Sequence, residues 1–170
     1  MPVTHHTRAL SFPAKTIFQS GLLVGTLDIL SAFVDYYAST GKNPLTILNY
    51  IASGIFGKSV IATGGTGTML AGLLLHYFIA FSFTVFFFWL CSSTKWLFVN
   101  WILRGFLYGI FIWVIMNLIV VQLSAVPHGP VSAMKFNKIL KSALILIGMI
   151  GLPLSYIVYR YATSYGKKQQ

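Results

Sequence analysis

Acidic side chains are nearly missing from this chain. Asp28 and Asp35 are its only acids, against twelve Lys and Arg in 170 residues. Charged residues make up 8% of the sequence, where a soluble domain carries about 25%. That is too little charge for the surface of an ordinary soluble enzyme or the flanks of a coiled coil. The 56% hydrophobic content excludes a disordered chain. Cysteine is nearly missing too: Cys91 stands alone, which excludes an intrachain disulfide and Cys-rich metal sites. It lies in an apolar run and reads as a small packed side chain. What is abundant is apolar and aromatic: mean hydropathy is +0.78 and Phe, Trp and Tyr make up 16%. This composition is that of a polytopic membrane protein forming one domain over residues 1–170.

The net charge of +10 raises the question of nucleic acid. The basic residues, however, are scattered at the ends of apolar runs, where they anchor helices to anionic headgroups. The expected partner is therefore the bilayer, with no nucleic acid. Arg8, Lys15 and the apolar run behind them imitate a signal peptide. The run from Ile17 to Tyr37 exceeds a typical h-region and ends without an evident small-residue cleavage site, so it reads as a retained span.

A membrane-crossing helix needs roughly 20 mostly apolar residues. Four segments meet that length: about 17–37, 68–91, 104–123 and 140–159. Gly41 and Pro44, Gly64 and Gly65, and Pro127 and Pro130 punctuate them. Tyr36, Tyr37, Trp96, Trp101, Tyr159 and Tyr161, with Lys95, Arg104 and Arg160, sit at the ends as interface anchors. Between the first two spans, residues 44–56 form a helix too short to cross, with Asn43 as its cap and Pro44 in its first turn. It reads as an interfacial or re-entrant helix, with a flat connector preferred over a lid or pore element. The expected fold is thus an all-α integral membrane four-helix bundle.

An even number of spans puts both termini on one side. With them inside, Arg8, Lys15, Lys95, Arg104, Arg160, Lys167 and Lys168 face the cytoplasm, and Lys42, Lys58, Lys135, Lys138 and Lys141 face out. Seven against five favours cytoplasmic termini, although Lys135, Lys138 and Lys141 argue the other way.

Helices in lipid associate through small and polar residues, because lipid is as apolar as leucine. The first span offers Gly21, Gly25, Asp28, Ala32 and Asp35 on one stripe. The second offers Gly72, His76, Ala80 and Thr84, the third Gly105, Gly109 and Asn117, and the fourth Gly148, Gly151 and Ser155, with Pro153 as a kink. Phe78, Phe81, Phe86, Phe87 and Phe88 are expected to face lipid or a partner subunit.

An ionised carboxylate at bilayer depth costs several kcal/mol unless paired or hydrated. Asp28 sits about 11 residues, or ~17 Å, into its span, and His76 about eight residues, or ~12 Å, from the opposite face. In a ~30 Å hydrocarbon layer they share a level. Asn117 reaches it as well. Asp28, His76 and Asn117 therefore form a candidate intramembrane polar cluster. One use is a site in which carboxylate and imidazole share a proton, suiting a proton-linked carrier. The other is a clasp that fixes helix register, and for so thin a bundle the clasp is the preferred reading.

Other constellations are weaker. Residues 62–68, ATGGTGT, lead into a helix and could cradle a phosphate, but they lack a P-loop lysine and follow no strand. They read as a flexible approach to the second span. His5, His6 and His128 fall in tails and loops, which argues against bis-histidine haem, and adjacent histidines at a chain end make poor metal ligands. Ser124, His128 and Asp35 share an outer face without anything to order them. No metal, cofactor or catalytic residue is expected.

GTLDILSAF at 25–33, YIASGIFG at 50–57, LLLHY at 73–77 and MNLIVVQLSAVP at 116–127 resemble segments of small bacterial inner-membrane proteins, and the architecture is similar to the YagU-like family of unknown function. The first loop departs from that family in being shorter and poor in acids. The resemblance implies a bacterial plasma membrane and no established chemistry, so no site residues carry over. The sequence reading is a non-enzymatic accessory or scaffold protein, homo-oligomeric or bound to other membrane proteins. Its rivals are a proton-linked carrier or channel built on Asp28, His76 and Asn117, and a lipid-binding or lipid-modifying protein.

Overall fold

The computed structural model describes residues 12–94, 96, 99–127, 129 and 134–167. Arg8, His5, His6, Lys95, His128, Pro130 and Lys168 lie outside the described residues. Every regular element described is helical. Helix α1 spans Ala14–Thr40, α2 spans Thr46–Phe56, α3 is the single turn Val60–Thr63, and α4 spans Thr66–Ser93. Helix α5 spans Trp101–Leu123 and includes a π-helical turn at Met116–Val120. Helix α6 joins Phe136–Leu146, a π-helical turn at Ile147–Gly151, and Leu152–Lys167.

Four helices, α1, α4, α5 and α6, are long and apolar enough to cross a membrane. Each begins at or before the apolar run read from the sequence, because helical hydrogen bonding continues through small and polar flanks until a cap stops it. At the end of α1, Gly41 takes a left-handed φ of 67° and its N–H returns to the Tyr37 carbonyl. At the start of α5, the Asn100 side chain accepts from the Ile102 N–H at 2.9 Å. A helix of 27 residues is ~40 Å long, longer than a ~30 Å hydrocarbon layer. The extra turns carry the polar ends.

Helix α1 packs against α4 on one side and α6 on the other, and α5 packs along α6. Helices α4 and α5 meet through rings: the Phe87 and Tyr108 centroids are 4.5 Å apart, and those of Phe86 and Phe111 are 5.6 Å apart. The core gathers Val24, Phe87, Phe88, Cys91, Tyr108, Ile112, Ile150, Leu154 and Val158 from all four helices. Phe87 and Phe88 therefore do not face lipid or a partner, as the aromatic run suggested. They continue the buried stripe of Gly72, His76, Ala80 and Thr84, each one turn beyond the last. Phe81 covers Gly21 of α1, while Phe78 points outward.

The glycines are where backbones approach. A Cβ on Gly105 would lie 2.9 Å from the Gly151 carbonyl oxygen, one on Gly109 would lie 2.5 Å from Cα of Ile147, and one on Gly151 would collide with the Gly105 carbonyl. Gly25 lies against Tyr77 and Ala80. Gly148, expected in the same seam, faces open space: it projects from the outer side of the π turn, and only Gly151 turns toward α5. The expected irregularity at Pro153 takes the form of that π turn. Proline has no N–H for the Met149 carbonyl and its ring crowds that group, and a widened turn just before it accommodates both.

The short segment between the first two long helices forms helix α2, which packs on α4. Its buried face is Leu48, Asn49, Ala52 and Ser53, laid against α4 where Gly72 lets the Leu48 carbonyl come close. Asn43 accepts from the Leu45 N–H at 3.0 Å, starting the turn ahead of α2. The glycine-rich segment is tied down rather than free. The Asn49 amide donates to the Gly64 carbonyl at 3.1 Å, and Asn49 Oδ1 accepts from the Thr68 hydroxyl at 2.9 Å. After α5, the Ala125 N–H donates to the Gly54 carbonyl at 3.1 Å and closes the chain onto α2. The Tyr50 hydroxyl donates to the Pro127 carbonyl at 3.3 Å, and burial pushes its phenol above the ordinary range.

Candidate functional site

His76 lies on the buried stripe of α4, and its partner on α1 is a bare backbone. Gly25 has no side chain, so the imidazole reaches its carbonyl, with Nε2 2.8 Å from the oxygen. A carbonyl only accepts, which assigns the proton to Nε2. One residue along, the Tyr77 and Thr26 hydroxyls share a hydrogen bond of 2.8 Å. Tyr77 packs edge-on to His76, with centroids 5.5 Å apart, and Phe81 follows over Gly21. The α1–α4 seam is thus a row of small residues on α1 filled by a row of rings on α4.

Asp28 sits one turn beyond Gly25 on α1, half-buried. Its carboxylate lies within electrostatic reach of the His76 imidazole. Among the described residues no hydrogen bond or ion pair joins the two side chains. The imidazole reaches the carbonyl one turn earlier, because the glycine there leaves it open. The pair expected from depth counting is therefore a proximity, and the direct clasp runs from His76 to the backbone of α1.

Asn117 does not join them among the described residues. Its amide donates to the Trp113 carbonyl of its own helix at 2.9 Å, and its backbone carbonyl accepts from Gln122 at 3.3 Å. An amide satisfied one turn back, inside a π turn, has no need of a neighbouring helix. Beside it, the Trp113 indole N–H donates to the Ser142 hydroxyl at 2.7 Å, joining α5 to α6.

Among the described residues, the most deeply buried charged side chain is one that its place near the end of an apolar run assigns to the interface. Arg104 is 1% exposed. Its Nε donates to the Ser155 hydroxyl at 2.8 Å and Nη2 to the Ser155 carbonyl at 2.9 Å, while Nη1 reaches the Trp96 carbonyl at 3.4 Å. The Ser155 hydroxyl in turn donates to the Trp101 carbonyl at 2.6 Å. A planar guanidinium makes two such bonds in one plane, which an ammonium does not match. The signal was in the spacing: Arg104, Tyr108 and Ile112 fall on one i, i+4 row beside Gly105 and Gly109, so Arg104 belongs to the packed face. Tyr108 donates to the Phe83 carbonyl at 2.5 Å across to α4.

Asp35 forms an ion pair with Lys141, tying α1 to α6. Sequence reading placed both near the outer face without pairing them. Among the described residues no group of three or more His, Cys and Asp side chains comes together as metal ligands would. Comparison with family profiles, with curated proteins and with solved structures finds no match to this chain.

Proposed function

We propose that α1, α4, α5 and α6 cross a bacterial plasma membrane, with α2 at its interface, and that the protein is a non-enzymatic accessory or scaffold subunit of a membrane assembly. The observation that carries this reading is the destination of the interior polar groups. His76 reaches the Gly25 carbonyl, Tyr108 the Phe83 carbonyl, and Arg104 the Ser155 hydroxyl and carbonyl. Each bond joins two helices, and such bonds fix register at about 0.6 kcal/mol each, up to about 1.7. The exterior supports placement in lipid: Leu30, Val34, Phe78, Trp89, Ile102 and Leu123 are all exposed, a distribution that water does not tolerate over so large an area. The excess of Lys and Arg on the side of the termini supports their cytoplasmic placement. The resemblance to YagU-like proteins agrees with this location and adds no chemistry.

The proximity of Asp28 to His76 favours one second reading, a proton-linked carrier. A chain of this size needs partners or copies of itself to enclose a pathway. Both readings predict association, and the accessory reading requires it. The full chain, extracted from native membranes in mild detergent after cross-linking in cells, is expected to sediment as a complex of fixed stoichiometry well above its 18.9 kDa. A lone 18.9 kDa chain, in cross-linked and untreated membranes alike, contradicts the accessory reading.

A further inference from the structure

A groove of about 550 Å³ runs along the outside of the bundle between α1 and α6. Its walls are Leu27, Leu30 and Val34 on one side and Ile145 and Met149 on the other. Its charged groups are Asp35 and Lys141, one from each wall. Asp35 lies five residues before the end of α1 and Lys141 five residues after the start of α6, which is ~7.5 Å from either helix end. That is the depth of the boundary between headgroups and acyl chains. From Leu27 to Asp35 the α1 wall is ~12 Å long, most of the ~15 Å of one leaflet's hydrocarbon. The groove therefore follows most of one acyl chain's length, with its charges toward the headgroup end.

We infer that this groove binds a phospholipid whose headgroup carries both a phosphate and a primary ammonium. Its phosphate accepts from Lys141, its ammonium donates to Asp35, and one acyl chain lies along the apolar walls. Charge complementarity selects the headgroup. An anionic lipid meets Lys141 but is repelled by Asp35. A choline headgroup is a zwitterion of the right charge, but its methylated nitrogen has no N–H to donate. An ethanolamine headgroup satisfies both walls. Lys141 is 55% exposed and Asp35 36%; Oδ1 of Asp35 is buried at the ion pair, and a pair on side chains so exposed holds together weakly enough to open around a ligand. This inference rests on the bilayer placement proposed above and goes beyond the accessory role.

The test reconstitutes the full chain in nanodiscs holding equal amounts of phosphatidylethanolamine, phosphatidylcholine and phosphatidylglycerol with identical acyl chains. Native mass spectrometry then counts the lipids retained after release into detergent. The expected result is one retained phosphatidylethanolamine per chain, preferred about tenfold, the ratio that 1.4 kcal/mol provides. Asp35→Asn is expected to erase the preference while leaving phosphatidylglycerol bound, and Lys141→Gln to weaken every lipid. Val34→Trp, at a site 69% exposed, fills the groove and is expected to remove the retained lipid without changing the melting temperature. Equal retention of the three lipids by the wild-type chain overturns the inference. So does a preference that survives both Asp35→Asn and Val34→Trp. If Asp35→Asn does not fold, Val34→Trp decides alone. A chain that inserts into the nanodisc but shows no headgroup preference defeats this inference and leaves the bilayer placement standing.

Discussion

Replacing Gly151 by valine is expected to prevent α5 and α6 from packing, whereas replacing Gly148 by alanine, three residues away on the same helix, is expected to be harmless or stabilising. The difference lies in what each new Cβ meets. At Gly151 it meets the Gly105 carbonyl, and Gly109 N lies 3.0 Å away. Both are backbone, which cannot swing aside as a side chain can. The helices must separate, and the contacts of Gly105 with Leu152 and of Gly109 with Ile147 go with them. The cost is about 3 kcal/mol or more, the upper end of what overpacking produces. At Gly148 nothing lies within 4 Å. Alanine there restricts the unfolded backbone and contributes about 0.5–1 kcal/mol of stability. Thermal unfolding in detergent, followed by circular dichroism, checks the pair. Equal effects at the two glycines contradict the packing described for the α5–α6 seam.

The second large effect is expected at Arg104. Arg104→Ala removes the two bonds to Ser155 and the contact with the Trp96 carbonyl, and empties the space of a side chain only 1% exposed. Together these cost about 3–5 kcal/mol, most of it from the loss of a fully buried side chain. Arg104→Lys keeps the charge and much of the volume, yet one ammonium on a flexible stem does not reproduce the planar pair of donors. It is expected to recover less than half of the loss in the same unfolding experiment. Full recovery by lysine assigns Arg104 a role as a point charge and contradicts the bidentate contact.

The two residues illustrate what the sequence discloses and what it hides. Number, order and approximate limits of the four long helices are readable because apolar length is a local property. The stripe of Gly72, His76, Ala80 and Thr84 is readable because i, i+4 spacing decides which residues share a face. Arg104 was misplaced because charge near the end of an apolar run ordinarily marks an interface. The i, i+4 row through Tyr108 and Ile112 outranks that rule when a helix extends past the run, as α5 does back to Trp101. Gly148 was misplaced for a related reason: the π turn shifts the helical phase, so spacing counted at 100° per residue assigns it to the wrong side. The link between Asn49 and Gly64 joins residues fifteen apart across a turn, and no periodicity announces it. For the polar centre, depth counting put Asp28 and His76 near one another. It did not say that the imidazole would reach past the carboxylate to the bare carbonyl of Gly25, nor that Asn117 would close on its own helix.

The central claim is that the interior polar groups are clasps rather than a proton route. The most direct measurement combines proton uptake by proteoliposomes under an imposed pH gradient with thermal unfolding of the same preparations, for the wild-type chain, His76→Leu, His76→Gln and Asp28→Asn. The account predicts that wild-type vesicles take up protons no faster than protein-free ones. It also predicts that His76→Leu lowers the unfolding temperature, and that His76→Gln, whose amide N–H can still reach the Gly25 carbonyl, restores most of it. Proton uptake above the protein-free level, abolished by Asp28→Asn with the unfolding temperature unchanged, contradicts the account.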